Sequence, residues 1–193
     1  MEIVFATNNK HKISEIAAVL PKEISLKSLS EIGFSGDIPE TNPTIKENAS
    51  QKSHYIYDRF KINVLAEDTG LEIEALNGAP GVYSARYAGE HCSFEDNVIK
   101  VLKEMGRKTN RKARFITIIS LILNDKEFFF EGIVNGHIIN EPIGNQGFGY
   151  DPIFIPDGYN ETYAQMSSEI KNKISHRALA TQKFINFIQK QSL

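Results

Sequence analysis

An α/β or α+β fold is predicted on three observations. Strand-length apolar runs alternate with helix-length amphipathic stretches, two long strand patterns stand side by side late in the chain, and glycine- and proline-rich turns punctuate the whole. Glu2 to Ala6 reads as the first strand. The polar loop Thr7-Asn8-Asn9-Lys10-His11-Lys12 then leads into a helix whose Ile13, Ile16, Ala17 and Leu20 share one face before Pro21 stops it. A strand feeding a polar loop at a helix start has the makings of an anion site. Backbone N–H groups and the positive end of the helix dipole favour phosphate, Asn9 offers amide donors, and Lys10 or Lys12 offers a point charge. Ile24 to Ser28 is a second strand, followed by a mixed segment, Leu29 to Asn42, that carries Glu40. Thr44-x-x-Glu47 is a capping box opening a helix of about four turns, with Ile45, Ala49, Ile56 and Phe60 on one side and Lys52 within it.

The stretch around which the rest is organised runs from Val64 to Gly89. Val64-Leu65-Ala66 reads as a short buried strand, at whose end Glu67 and Asp68 arrive side by side. Consecutive strand residues point to opposite faces, so only one of the two carboxylates can look into a given cleft. Thr69-Gly70 and an alternating segment follow, with Leu71, Ile73 and Ala75 set against Glu72 and Glu74. Asn77-Gly78-Ala79-Pro80-Gly81 then makes a rigid turn that delivers Tyr83, Ser84 and Arg86. An acid at a strand end, a hydroxyl beside it and an arginine returning on a stiff loop are the parts needed to hold a metal ion and an anionic ligand.

Further on, Ser93 caps a helix with Asp96 three residues later, and Phe94, Val98, Val101, Leu102 and Met105 form its inner side before Gly106 ends it. Ala113 to Asn124 and Lys126 to Ile139 are the two long strands, joined at Asn124-Asp125, and Asn135-Gly136 marks a second tight turn or a bulge. The glycine-rich run Gly144 to Pro152 lacks the dinucleotide-binding spacing. Glycines flanking Phe148 let backbone approach a flat ligand and leave the ring able to stack on a base. In the last segment Ser175 is a natural N-cap that puts His176 and Arg177 in the first turn of a helix, where basic groups oppose the dipole and a bound anion or carbonyl offsets the cost.

An apolar fraction of 41% over 193 residues suffices for the core of one domain spanning 1–193 or two closely joined lobes. A formal net charge of −2 argues against a protein that coats nucleic acid, and the basic turn Arg107-Lys108-x-x-Arg111-Lys112 has no interleaved stacking aromatics. The single cysteine, Cys92, excludes an internal disulfide and fits a reducing cytoplasm. The first apolar run is too short for a signal peptide, and Phe115 to Leu123 falls far below the roughly twenty residues of a spanning helix, so no membrane partner is expected.

Glu67-Asp68-Thr69-Gly70 followed by GAPGVYSARYAG resembles the signature segment of the inosine triphosphate pyrophosphatase family, which hydrolyses non-canonical purine nucleoside triphosphates. Thr7-x-Asn9-x-x-Lys12 is similar to that family's triphosphate-binding opening, FGYDP at Phe148 to Pro152 to its base-binding loop, and Ser175-His176-Arg177 after Lys171 to its third motif. The four motifs span nearly the whole chain in the family's order. The resemblance implies an elongated α/β structure, a long mixed sheet flanked by helices, with two lobes and the nucleotide in the cleft between them; family members are commonly homodimers. It implies substrate contacts at Thr7, Asn8, Asn9, Lys10, His11, Lys12, Lys52, Thr69, Arg86, Phe148, Gly149, Tyr150, Asp151, Lys171, His176 and Arg177. Asp68 is implied as general base on water, and Glu40 with Asp68 as ligands of Mg²⁺, for which Mn²⁺ can substitute.

That chemistry is coherent. Cleavage between the α- and β-phosphates needs a divalent cation, a water aimed in line and positive groups for developing charge, and Mg²⁺ favours few carboxylates plus waters and phosphates. Hypoxanthine and xanthine carry a 6-keto acceptor where adenine has an amino donor, so donors from Arg177 or Lys171 favour ITP, dITP and XTP and disfavour ATP. Two other readings stand beside this one. A pyrimidine pyrophosphatase acting on dTTP or UTP would share the metal acids but not FGYDP and SHR, and a nucleotide-binding module without turnover would have no need of a water-activating acid.

Overall fold

The computed structural model describes residues 1–191. Its strands are β1 (Glu2–Phe5), β2 (Ser25–Lys27), β3 (Val64–Ile73), β4 (Lys112–Leu123), β5 (Lys126–Ile138) and β6 (Phe154–Pro156), joined in one mixed sheet of order β2-β1-β3-β4-β5-β6. The α-helices are α1 (Lys10–Ala17), α2 (Ile45–Phe60), α3 (Phe94–Met105), α4 (Ser168–Ile174) and α5 (His176–Gln191). β1 pairs in parallel with β2 and with β3, while β5 and β6 are antiparallel, which settles the class as α/β with a mixed sheet flanked by helices.

Two compact units divide the described chain. The first holds Met1–Asp68, Thr117–Gly132 and the chain from Arg177 onward; the second holds Thr69–Ile116 and Ile133–His176. In the first unit the strand period of two sorts the apolar side chains into two clusters. Ile3, Phe5 and Leu65 pack with Ile16 of α1 and with Ala180, Phe184, Ile185 and Ile188 of α5. Val4, Ala6, Val64 and Ala66 pack on the other face with Ile56 of α2 and with Leu29. Burial on both faces explains why β1 and the start of β3 read as continuous apolar runs and not as alternating ones.

The second unit has one core, in which Leu71 and Ile73 of β3 meet Val98, Val101 and Met105 of α3 together with Phe115, Ile138, Ile153, Phe154 and Tyr163. Helix α3 begins as its sequence demands. Ser93 accepts from Asp96 N, and the Asp96 carboxylate accepts from Ser93 N, a complete capping box.

Two expectations change in the structure. β3 is a ten-residue strand, so Glu67 and Asp68 stand in its middle and not at its end. β5 runs unbroken through Asn135-Gly136, where neither a turn nor a bulge interrupts it. Gly136 pairs with Pro156, and a Cβ there would lie 2.2 Å from the Ile155 carbonyl oxygen and 2.6 Å from the Phe154 ring, so the glycine serves the close approach of β6. Ser175 closes α4, its N–H donating to Lys171 O, and stands in extended conformation directly before α5, where His176 and Arg177 occupy the first turn as expected. The β4–β5 hairpin is as expected, with Asn124 and Asp125 both at left-handed φ, 49° and 65°.

Candidate functional site

The alternation that builds the first unit's two clusters continues into Glu67 and Asp68. Glu67 falls on the face of Leu65, toward α1 and α5, and Asp68 on the face of Ala66, toward α2. Both are buried, at 1% and 6% exposure, where an ionised carboxylate needs partners.

Glu67 has two cations. Arg177 at the start of α5 donates through Nε and Nη2 to its two oxygens, at 2.7 and 3.0 Å, and Lys12 of α1 lies 3.0 Å from Oε1. Arg177 also donates through Nη1 to Glu15, one turn along α1 from Lys12. Burial alone would push the Glu67 carboxyl up, but the charges of Arg177 and Lys12 outweigh it and hold the group far below the ordinary carboxylate range. Arg177 is itself pushed above its ordinary value, the pull of Glu67 and Glu15 overcoming desolvation.

Asp68 has one cation, which it shares. The Lys52 ammonium donates to Asp68 Oδ1 at 3.2 Å and to Glu40 Oε1. Burial raises the Asp68 carboxyl, the Lys52 and Lys12 ammoniums pull it down and the Glu40 charge pushes it up again, leaving it above the ordinary aspartate value. Desolvation works against the Lys52 charge, yet Asp68 and Glu40 together raise its pKa. Glu40, in an irregular segment, is thus brought to a helix and a strand that the sequence leaves unconnected to it.

The opening loop also departs from expectation. Asn9 is the N-cap of α1, and its Oδ1 accepts from His11 N and Lys12 N at 3.0 and 3.2 Å, so those backbone donors serve the cap instead of an anion. Thr7 Oγ1 accepts from Asn9 N, and Asn8 Nδ2 donates to Gly36 O. Lys10 and His11 are exposed.

In the second unit the Lys171 ammonium lies 2.6 Å from Asp151 Oδ2 and 5.1 Å from the centre of the Phe148 ring. The same Asp151 oxygen accepts from Phe148 N at 2.8 Å. Gly147, at φ +73°, lies so close that an added Cβ would meet Asp151 Oδ2 at 2.0 Å, so this glycine makes room for the carboxylate. Phe148 is half-buried, tilted against Phe94 at 5.8 Å. Tyr150 is buried; its hydroxyl donates to Ser84 O, while Ser84 Oγ accepts from Leu71 N and donates to Gly81 O. The hydroxyl of Ser84 therefore ties its loop to β3. His176 stacks on Phe115, ring centres 4.5 Å apart and 13° between planes, and is 2% exposed. Arg86 leans over Tyr83, with Glu90 at 3.9 Å, and Thr69 and Gly149 are half-buried.

Among the predicted residues, Lys52, Glu40 and Asp68 form one cluster; Lys12 and Arg177 form another with Glu67; Phe148, Asp151 and Lys171 form a third. Glu15 escaped the sequence reading, although its place three residues after Lys12 on a helix marked it as a same-face neighbour. The buried hydroxyl chain also escaped: Ser53 and Ser120 lie 2.6 Å apart, and Ser120 donates to Glu127 at 2.8 Å. A hollow of about 760 Å³ opens beside α3, lined by Ala88, His91, Cys92, Asp96, Ile99 and Lys103 among others, and none of the predicted site residues lines it. Among the described residues no three His, Cys, Asp or Glu side chains are grouped to hold a metal by themselves, and no helix is long and apolar enough to cross a membrane.

A mixed α/β sheet carrying buried carboxylate–cation clusters on both faces of its central strand defines the class. The chain belongs to the Ham1 family, whose model matches residues 3–187. A dITP/XTP pyrophosphatase of Flavobacterium psychrophilum is 53% identical over 189 residues, which cover 98% of this chain and 100% of that one. Among solved structures, the Ham1 protein of Staphylococcus aureus superposes with a TM-score of 0.91 at 41% identity, covering 99% of this chain and 100% of that one. A HAM1 protein from Coxiella burnetii gives 0.92 at 36% identity, with 98% and 99% covered.

Proposed function

We propose that this protein hydrolyses non-canonical purine nucleoside triphosphates, ITP, dITP and XTP, to the nucleoside monophosphate and pyrophosphate. Family membership and the names of its full-length relatives support the reaction class. The observation that carries the reading in this chain is the buried Asp68, raised above the ordinary aspartate value and joined through Lys52 to Glu40. A carboxylate shifted toward the working pH is better matched to taking a proton from water than an ordinary surface acid.

Asp68 accepts the proton of the attacking water, the water oxygen bonds to the α-phosphorus, and the bond from that phosphorus to the bridging oxygen breaks with pyrophosphate as leaving group. Lys12 and Lys52 supply positive charge to the phosphates. Glu40 and Asp68 would hold Mg²⁺, or Mn²⁺ in its place: the Lys52 ammonium shared between these two oxygen donors supports a site for a cation there, and hard oxygen ligands suit that ion. When bound, the metal would neutralise phosphate charge and polarise the phosphoryl group. In the second unit, Phe148 offers its ring to the base, and Lys171, held by Asp151, offers a donor to a 6-keto oxygen. Arg177 is engaged with Glu67 and Glu15, so we assign it to holding Glu67 and Lys12 in place, with Lys171 the principal keto-group donor.

The test is pyrophosphate release with Mg²⁺ from ITP, XTP, GTP, ATP, dTTP and UTP in parallel at one concentration. Release favouring ITP and XTP is expected. Release confined to dTTP or UTP would reassign the protein to pyrimidines, and binding of ITP without release would make it a sensor. A homodimer located in the cytoplasm belongs to the same proposal; light scattering after size exclusion checks the dimer.

A further inference from the structure

Lys52 bridges the two carboxylates to which the proposed function gives the metal. Its ammonium reaches Glu40 Oε1 and Asp68 Oδ1 together, and the lysine and aspartate side chains are only 6% and 9% exposed, so this is a built contact and not a passing surface pair. A divalent cation on the same two carboxylates would face a like charge at contact distance, and like charges so placed in a poorly screened site repel strongly. While its ammonium is held by Glu40 and Asp68, the charge of Lys52 is withheld from a bare triphosphate as well. The four-carbon stem of lysine lets the ammonium move several ångströms with the backbone of α2 fixed.

We infer that Lys52 is an internal counter-ion that closes Glu40 and Asp68 to a lone divalent cation and transfers to the phosphates when metal and nucleotide arrive together. The inference rests on the pyrophosphatase reading above and adds an order to it. Metal alone binds poorly, nucleotide alone binds poorly, and each promotes the other by way of one lysine.

The experiment titrates the whole protein with Mn²⁺ alone, following the free ion by electron paramagnetic resonance, for wild type, Lys52→Met, Lys52→Arg and Asp68→Asn/Lys52→Met, with circular dichroism confirming the fold of each. Lys52→Met is expected to bind Mn²⁺ about tenfold more tightly than wild type or more, a change on the order of 1.4 kcal/mol, although it loses turnover. Lys52→Arg, which keeps the charge, stays close to wild type. Mn²⁺ affinity in Lys52→Met equal to or weaker than wild type overturns the inference; if Asp68→Asn still loses turnover in that case, the pyrophosphatase reading stands without it. Should the double variant bind Mn²⁺ as tightly as Lys52→Met, the metal is not on Asp68 and the inference falls, while pyrophosphate release from ITP still decides the pyrophosphatase reading.

Discussion

Glu67 and Asp68 share a strand and a functional group, and their surroundings differ in one countable respect. The Glu67 carboxylate meets a guanidinium and an ammonium of its own side of the sheet, whereas Asp68 meets one ammonium that it divides with Glu40. Burial pushes both carboxyls up. The charges of Arg177 and Lys12 more than reverse that push at Glu67, whereas at Asp68 the pull of Lys52 and Lys12, opposed by the Glu40 charge, fails to do so. One peptide bond thus separates a carboxyl held below the ordinary range from one held above it, and the balance of charges facing each decides the direction. On this comparison Glu67 is the more firmly ion-paired of the two, and Asp68 is the one to which the proposed function gives the proton transfer.

The largest test of that division is at Asp68. Asp68→Asn is expected to lower turnover on the order of 10⁴-fold while circular dichroism and the thermal midpoint stay near wild type. Full activity in the variant would remove Asp68 from the chemistry. Glu67→Gln should act mainly on the fold: it leaves Arg177 and Lys12 facing a lost charge in a buried site, and about 3–5 kcal/mol of stability should disappear in urea unfolding. Unchanged stability together with lost turnover would reverse the assignment of the two neighbours.

A smaller effect is expected where the comparison extends to the second unit. Phe148→Ala removes a stacking surface worth about 1–3 kcal/mol per base, so KM for ITP should rise roughly tenfold or more with kcat less affected. A fall in kcat alone would place Phe148 elsewhere in the reaction.

The least effect in magnitude, and the most direct on the comparison, is the pH dependence of stability. Glu67 is depressed in the folded state, so its contribution is present above the unfolded value of about 4.3 and is lost as pH falls toward the folded one. Asp68 is raised, so the folded state holds its proton longer than the unfolded chain, and stability falls as pH rises from about 3.9 toward the folded value. Each slope approaches about 1.4 kcal/mol per pH unit at most. Unfolding measured from pH 3 upward should lose the first trend in Glu67→Gln and the second in Asp68→Asn; the opposite pattern would exchange the two roles.

Much of the fold was legible in the residues. The capping box at Ser93, the hairpin at Asn124-Asp125 and the facing pattern of β1 and β3 are short-range matters, set by side chains a few positions apart. Less of the site was legible. Asn9 reads as an amide donor beside free helix N–H groups, yet two of those N–H groups are taken by its own Oδ1, because a helix start satisfies its N–H groups when a suitable side chain stands at the cap. Gly147 and Gly136 read as ligand or turn glycines and prove to yield space to Asp151 and to β6, contacts with segments that local pattern does not name.

By itself the sequence determined that Glu67 and Asp68 point to opposite faces, since that follows from the period of a strand whatever else the chain does. Only the tertiary structure decided what each would meet. Arg177 lies 110 residues from Glu67, and Lys52 reaches Glu40 and Asp68 across 12 and 16 residues from a helix packed on the far face. Sheet order and helix packing bring these charges together, and in a buried site the proton affinity of a carboxylate is set by the cations that packing delivers, not by its neighbours in sequence.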